Sequence, residues 1–338
     1  MGWMSDEPAG SFPTEMADRQ VEIYRRSAGL TLELTAADLA EAAGVDLELI
    51  RAVWRAFGLP DVGDSATGLF DPQDVEMFKA VASLLNLGIS VEDLVAVARV
   101  YGQGFARISE AEQRVFRKHF LDPVIDAGLG VEELDALAPL SQMLVTLLDA
   151  PILNAHRRQL DVAIRQLVVS RSDSGTEPHA VGFVDLVGYS GLVANMRGAD
   201  LSDLVSAFDE LVTRVCANAG ARVVKLVGDA VLFVAHEPVV ALAAAHGVVN
   251  GAAAEAGLPE ARAGLDYGEV LPIEGDYFGN PVNTAARVVA VARPGTVTVS
   301  QTFADSPGMT GQAFTAVGEH DLKGVGRLML FEAPAASA

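Results

Sequence analysis

The stretch Val223-Val-Lys-Leu-Val-Gly-Asp-Ala-Val-Leu-Phe-Val-Ala235 decides how the C-terminal half of this chain is read. Two apolar runs flank a Val-Gly-Asp-Ala step, which is the pattern of two strands joined by a tight hairpin. The hairpin tip carries Asp229, and Lys225 stays behind on the first strand. Two further stretches complete a set. Val181-Gly-Phe-Val-Asp-Leu-Val-Gly-Tyr-Ser190 ends an apolar run on Asp185, and Gly188-Tyr189-Ser190 then opens a helix whose free N–H groups suit a phosphate. Asp276-Tyr-Phe-Gly-Asn-Pro-Val-Asn-Thr-Ala-Ala-Arg287 sets Asn283 and Arg287 four residues apart, on one helix face.

Each residue type fits one part of nucleotide chemistry. Asp185 and Asp229, on adjacent strand ends, can hold Mg²⁺ with substrate phosphates filling the other positions. Taken singly, they read equally as a strand-end cap and a hairpin turn. Lys225 and Asp276 are a donor and an acceptor, the polarity that meets adenine's ring nitrogen and amino group. Guanine presents the reverse polarity and would leave both groups mispaired, which is how a polar site discriminates strongly. Out of context the same pair is an ordinary surface salt bridge. Arg287 suits charge developing on a phosphorus in transition, and Asn283 one turn earlier suits a ribose. Lys323, flanked by glycine in His320-Asp-Leu-Lys-Gly-Val-Gly326, suits a terminal phosphate. The set points to phosphoryl transfer within a nucleoside triphosphate.

Composition narrows the alternatives. The chain has 338 residues, half of them hydrophobic, enough for one or two domains with real cores. A net charge of −21 repels nucleic acid and anionic membrane surfaces, so no nucleic-acid partner is expected. Cys216 is the only cysteine, so no intramolecular disulfide forms, which fits a reducing, cytoplasmic setting. Asp6 and Glu7 exclude a signal peptide, and Asp6 stands where a myristoylation motif wants Ser or Thr. The most apolar stretch, Pro238 to Ala254, contains His246 and Asn250 and reads as a buried helix, not a membrane span.

The chain divides by texture. Residues 1–28 are polar and mixed, a mobile arm or a short partner-gripping helix. Residues 29–150 read as an all-α domain. Apolar residues recur at helical spacing in Leu49/Ile50/Val53/Trp54 and Val75/Phe78/Val81/Leu84, and Thr35 with Asp38, Asp71 before Pro72 and Ser90 with Asp93 are start signals. Residues 151–178 are a connecting helix, from about Ala150, and a linker by composition from Ser170 to Pro178. Residues 179–335 alternate short β-rich runs (Ala180–Leu186, Arg222–Lys225, Val231–Ala235, Val297–Ser300, Leu328–Glu332) with helical segments (Ser202–Ala217, Val239–Ala256, Pro281–Val291).

The joint pattern resembles the class III adenylyl cyclase catalytic domain, from about Ala180 to the end of the chain. Its F-x-D-x-x-G-[YF] element is Phe183 to Tyr189, its K-x-x-G-D element Lys225 to Asp229, and its D-x-x-G-x-x-V-N-x-A-[AS]-R element Asp276 to Arg287. The resemblance implies a ferredoxin-like α+β fold and a role for each residue. Asp185 and Asp229, with the backbone carbonyl of Leu186, would bind two Mg²⁺ or Mn²⁺ ions. Lys225 and Asp276 would select adenine, Asn283 would position the ribose, and Arg287 would stabilise the transition state. Lys323, with Gly188 and Tyr189, would hold the phosphates. The product would be 3′,5′-cyclic AMP, made from ATP with release of pyrophosphate. The family's sites form between two subunits, so this chain, carrying every element once, would be a homodimer. The compact segment between Gly268 and Asp276 matches the short-arm bacterial subtype. Within enzymes the competing reading is a guanylyl cyclase. Outside them it is a nucleotide-binding sensor or regulator with a silent cyclase domain.

In the N-terminal half, Thr35 to Trp54 reads as a helix-turn-helix with Gly44 at the turn. It resembles both a MerR-type DNA reader and the regulatory domain of soluble, acid-responsive mycobacterial adenylyl cyclases. From Thr31 to Val100 the basic residues are Arg51, Arg55, Lys79 and Arg99 alone, which makes phosphate contact poor and favours the regulatory domain. The connecting helix would then transmit the signal. His156 on it and His119 in the helical domain would make a proton the effector, and an apolar ligand in the helical core is the alternative.

Overall fold

The computed structural model describes residues 14–61, 69–128, 135–167, 175–194, 196–255 and 257–334. It falls into two compact units, residues 1–169 and 170–338. The first 13 residues of the expected arm and residues 170–174 of the expected linker lie outside the described residues.

The first unit is helical: α1 (Thr14–Ser27), α2 (Ala36–Ala43), α3 (Leu47–Ala56), α4 (Pro72–Asn86), α5 (Val91–Phe116), α6 (Asp122–Asp126) and α7 (Ala138–Leu167). The start signals work as the residues suggest. Thr35 and Asp71 form reciprocal capping boxes with Asp38 and Asp74, and the Ser90 hydroxyl accepts from the Asp93 N–H. Gly44 ends α2 at φ 68°, a left-handed value that favours glycine. Leu39, Ile50, Val53, Phe70 and Phe78 close a core among α2, α3, α4 and α5. A single bridge, Leu34 to Phe70, is the β-pairing seen in this unit among the described residues. Helix α1 packs on α7: Ile23 is buried with Leu121, and Arg19 makes a two-pronged bond to Asp135 at 2.6 and 2.7 Å. A π-helical turn, Arg117–Leu121, joins α5 to α6 and carries His119.

Helix α7 begins twelve residues before the expected start at Ala150. Pro151 sits inside it. A proline inside a helix removes one backbone bond and normally ends or kinks it, yet here the helix continues through it.

The second unit is a mixed sheet with helices on both faces. Its elements are β1 (Glu177–Leu186), α8 (Tyr189–Val193), α9 (Gly198–Ala219), β2 (Arg222–Val227), β3 (Ala230–Ala235), α10 (Pro238–Ala254), β4 (Ala261–Ile273), β5 (Asp276–Phe278), α11 (Asn280–Val291), β6 (Val297–Ser300), α12 (Gln301–Ala304), β7 (Thr315–Leu322) and β8 (Gly326–Glu332). The strand order is β2-β3-β1-β4-β6-β8-β7, with β5 paired to β4. Strands β1 to β4, with α9 and α10 as crossovers, give the β-α-β-β-α-β ferredoxin-like unit in the order β4-β1-β3-β2. All pairings are antiparallel except β4 with β6.

Alternation along the strands assigns the faces. Ala180, Val184, Val231, Phe233 and Ala235 pack against α9 and α10, and Val181, Phe183, Leu232 and Val234 face the layer of Ala285 and Val289 on α11. Both faces of β1 and β3 are therefore buried, so these strands read as continuous apolar runs. Strand β4 has no counterpart among the expected β-rich runs. It is central and long, but Gly264, Asp266, Gly268 and Pro272 interrupt its apolar pattern. Gly264 is needed: a Cβ there would stand 2.2 Å from the backbone nitrogen of Val289 on α11.

Candidate active site

Asp185 and Asp229 share one end of the sheet. Asp185 pairs with Ala230 across β1 and β3, and the Leu186 N–H reaches the Asp229 carbonyl at 3.4 Å. Asp229 sits in the two-residue turn between β2 and β3, where Gly228 takes φ 68°, the left-handed conformation a two-residue hairpin needs at its first position. Gly188 is likewise left-handed, at φ 74°, and starts the short helix α8 at Tyr189.

Lys225 and Asp276 meet. The Lys225 ammonium donates to Oδ2 of Asp276, and Oδ1 of Asp276 accepts the Tyr277 N–H at 2.9 Å. Two local features allow it. The register slips between Val223 and Lys225, a bulge that re-aims the side chains of β2. The turn Glu274-Gly275, with φ of 51° and 85°, folds β5 back on β4, positive φ at both positions being the primed hairpin geometry. Cross-strand partners share a face. Lys225 lies opposite Leu232, and Leu232 opposite Phe183, so Lys225 and Asp185 are on the α11 side of the sheet.

Asn283 and Arg287 lie on the exposed face of α11, and Thr284, Ala285 and Val288 form its buried stripe. Asn283 lines a groove of about 420 Å³ with Asp266, Gly268, Thr302 and Gly324. Lys323, next to Gly324, is exposed in the turn between β7 and β8. Among the described residues, no hydrogen bond or ion pair joins Asn283 or Arg287 to Asp185 or Asp229.

Two polar residues here were missed from sequence, both on β4. Arg262 forks onto Oδ2 of Asp185 through Nε at 2.9 Å and Nη2 at 2.7 Å, and its other Nη bonds the carbonyls of Ala290 and Ala292 at the end of α11. It thus ties the metal-type carboxylate to the helix carrying Arg287. Asp266 is buried and accepts from the hydroxyls of Ser300 and Thr302. Burial pushes its carboxyl above the usual carboxylate range, against the opposing pull of those hydroxyls. Its place opposite Val181 of β1, lining the groove, was hidden with the strand. A period-2 reading from Ala261, tolerant of glycine, would have found both.

The carboxylate and carbonyl oxygens at Asp185, Leu186 and Asp229 are the hard donors that Mg²⁺ and Mn²⁺ take, so the residues present fit a divalent-cation site of that kind. Arg262 balances the charge of the half-buried Asp185 carboxylate.

Residues 21–167 match the family described as adenylate cyclase regulatory domain, and residues 262–332 match the adenylate and guanylate cyclase catalytic domain. An adenylate cyclase of Streptomyces coelicolor is 32% identical over 269 residues, 79% of this chain and 69% of that protein. An adenylate cyclase of Streptomyces griseus is 29% identical over 81% of this chain and 68% of its own length. A pH-sensitive adenylate cyclase of Mycobacterium tuberculosis is 30% identical over 88% of this chain and 77% of its own length. The chain belongs to the class III adenylate cyclases that carry an N-terminal regulatory domain, and it is an enzyme of that activity. Among the described residues, no helix is long and apolar enough to cross a membrane.

Proposed function

We propose that two copies of this chain build two equivalent sites that convert ATP to 3′,5′-cyclic AMP and pyrophosphate. The observation that carries this reading is the Lys225–Asp276 contact, a donor and an acceptor brought together from different strands with the polarity adenine requires. Lys225 donates to the adenine ring nitrogen and Asp276 accepts from its amino group. Asn283 accepts and donates to the ribose, fixing the 3′-hydroxyl in line with the α-phosphorus. As that oxygen bonds to phosphorus and the bond to pyrophosphate breaks, Arg287 meets the charge that gathers on the phosphoryl oxygens. Gly188 and Tyr189 at the start of α8, and Lys323, hold the triphosphate. Asp185, Asp229 and the Leu186 carbonyl would hold two Mg²⁺ or Mn²⁺ ions, which when bound acidify the 3′-hydroxyl and neutralise the leaving pyrophosphate.

The resemblance gives the metal ligands Asp185 and Asp229 to one subunit and the base readers Lys225 and Asp276, with Asn283 and Arg287, to the other, and an exposed face of α11 suits such an interface. Asn283 and Arg287 project from an exposed helix face, and the two aspartates lie at the end of β1. A two-fold axis places the exposed face of one copy over the aspartates of the other and does so twice. The domain limits that serve this reading are regulatory residues 29–150, a connecting helix and linker over 151–178, and a catalytic domain over 179–335.

Base choice gives the direct test of the reader pair. Lys225→Glu leaves two acceptors where adenine offers one acceptor and one donor. The ratio of kcat/KM for ATP over GTP should fall by about 100-fold or more. An unchanged ratio would mean that the Lys225–Asp276 contact is only a surface ion pair.

For the regulatory half we propose a proton as effector, on the strength of the similarity to the pH-sensitive mycobacterial enzyme. His156 of α7 packs edge-on against Tyr101 of α5 at 6.2 Å, and His119 lies in the π-helical turn. The double variant His119→Gln, His156→Gln should flatten the pH–activity profile. A profile identical to wild type removes these histidines from the account.

A further inference from the structure

One corner of the second unit carries three side chains that cyclisation does not use. His179, near the start of β1, is only 2% exposed, and its ring centre lies 4.3 Å from that of His236, which follows β3. With Glu177, one donor atom from each residue lies within 4.8 Å of the others. Nδ1 of His179 is 3.3 Å from the backbone oxygen of Glu177. With its proton on Nδ1, the ring donates to that oxygen and turns the lone pair of Nε2 toward the cluster. Metal-bound histidines are oriented by this kind of bond, from the far ring nitrogen to a carbonyl.

We propose that Glu177, His179 and His236 form a binding site for one zinc-class divalent cation, separate from the carboxylate pair of Asp185 and Asp229. Two imidazole nitrogens and one carboxylate oxygen are a zinc-type donor set that leaves a fourth position to water. Mg²⁺ and Mn²⁺ prefer all-oxygen sets, so the two sites differ in the cation they take. Donors about 2.0–2.2 Å from one tetrahedral zinc ion stand roughly 3.4 Å apart. Rotation of the half-buried Glu177 and His236 side chains would draw the donors to that spacing from the 4.8 Å within which they lie. Burial, and then the neighbouring His236, lower the His179 pKa below the usual value. Arg222, 5.9 Å from the Tyr277 ring centre, adds positive charge nearby, and the Glu177 carboxylate offsets it.

The cation would join the start of β1 to the end of β3. The His179 ring also lies 5.2 Å from that of Tyr277, whose N–H holds Asp276. Occupancy would therefore stiffen the layer directly behind the base-reading pair.

Cobalt titration of the nucleotide-free full-length chain tests this site independently of the cyclase mechanism. The protein used carries Asp185→Asn and Asp229→Asn, so that the catalytic carboxylates bind no cobalt. One Co²⁺ per chain should bind with the visible bands of nitrogen ligation, resist excess Mg²⁺ and be displaced by Zn²⁺. Adding His236→Gln should erase the bands and weaken Co²⁺ binding about 100-fold. If that variant fails to fold, Glu177→Gln serves with the same readouts. Bands that persist unchanged in the variant, or no one-to-one binding below millimolar Co²⁺, overturn the proposal.

Discussion

Asp229→Ala should abolish cyclic AMP formation while leaving the protein folded. The residue occupies a half-exposed hairpin turn with its φ in the ordinary negative region, so alanine costs little structure. What it removes is one of the two carboxylates available for divalent cations at the end of β1. Charge stabilisation by a bound metal is worth several kcal/mol in the transition state. At 1.36 kcal/mol per decade, the loss is on the order of 10³-fold or more in kcat. Thermal unfolding within ~2 °C of wild type, together with that loss, identifies a chemical role. A variant that keeps a tenth of the activity would place the cations elsewhere. Asp185→Ala is a less clean experiment, because it also strands Arg262, which is only about a quarter exposed and bonds Asp185 through two nitrogens.

Gly264→Ala should unfold or displace the catalytic core. The added Cβ would meet backbone, not a yielding side chain: Val289 N at 2.2 Å, Val289 Cα at 2.7 Å and the Ala285 carbonyl at 2.8 Å. Overpacking a core typically costs about 1–3 kcal/mol, and an immovable neighbour places this case at the upper end or beyond. For a unit of this size that is a drop in Tm on the order of 10 °C. Helix α11 carries Asn283 and Arg287, so whatever relief it finds by moving also misplaces both, and kcat should fall more than KM rises. Gly104→Ala, on an exposed part of α5 with nothing within 4 Å of the new Cβ, is the control and should hold Tm or raise it by a few degrees, since alanine favours a helix over glycine by about 1 kcal/mol. Equal Tm values for the two variants would mean that α11 does not approach β4 this closely.

The parts legible in sequence were those with local causes. Capping pairs at Thr35, Asp71 and Ser90 act within three residues, so the starts of α2, α4 and α5 could be read directly. The hairpin at Gly228-Asp229 and the helix from Asn280 are set by a left-handed glycine and by Pro281 at the first turn. Elements whose residues are chosen by distant neighbours were not legible. Strand β4 tolerates Gly264 because α11 presses on it, and carries Asp266 because Ser300 and Thr302 on the next strand and helix satisfy it. Arg262 is explained only by Asp185, 77 residues earlier. Strand β1 starts at Glu177, ahead of the expected Ala180, since Pro178 reads as linker while its pairing opposite Glu269 is invisible in one dimension. Helix α7 likewise runs unbroken through Pro151, which local sequence rules do not anticipate.

The central claim is that each active site takes Asp185 and Asp229 from one subunit and Asn283 and Arg287 from the other. Mixing two inactive variants, Asp229→Ala and Arg287→Ala, after unfolding and refolding them together tests it most directly. Random pairing makes half of the dimers mixed, and each mixed dimer holds one intact site of two, so about a quarter of wild-type cyclic AMP production should return. A mixture as inactive as its parents, with mixed dimers present, would contradict the shared site and place all four residues in one chain.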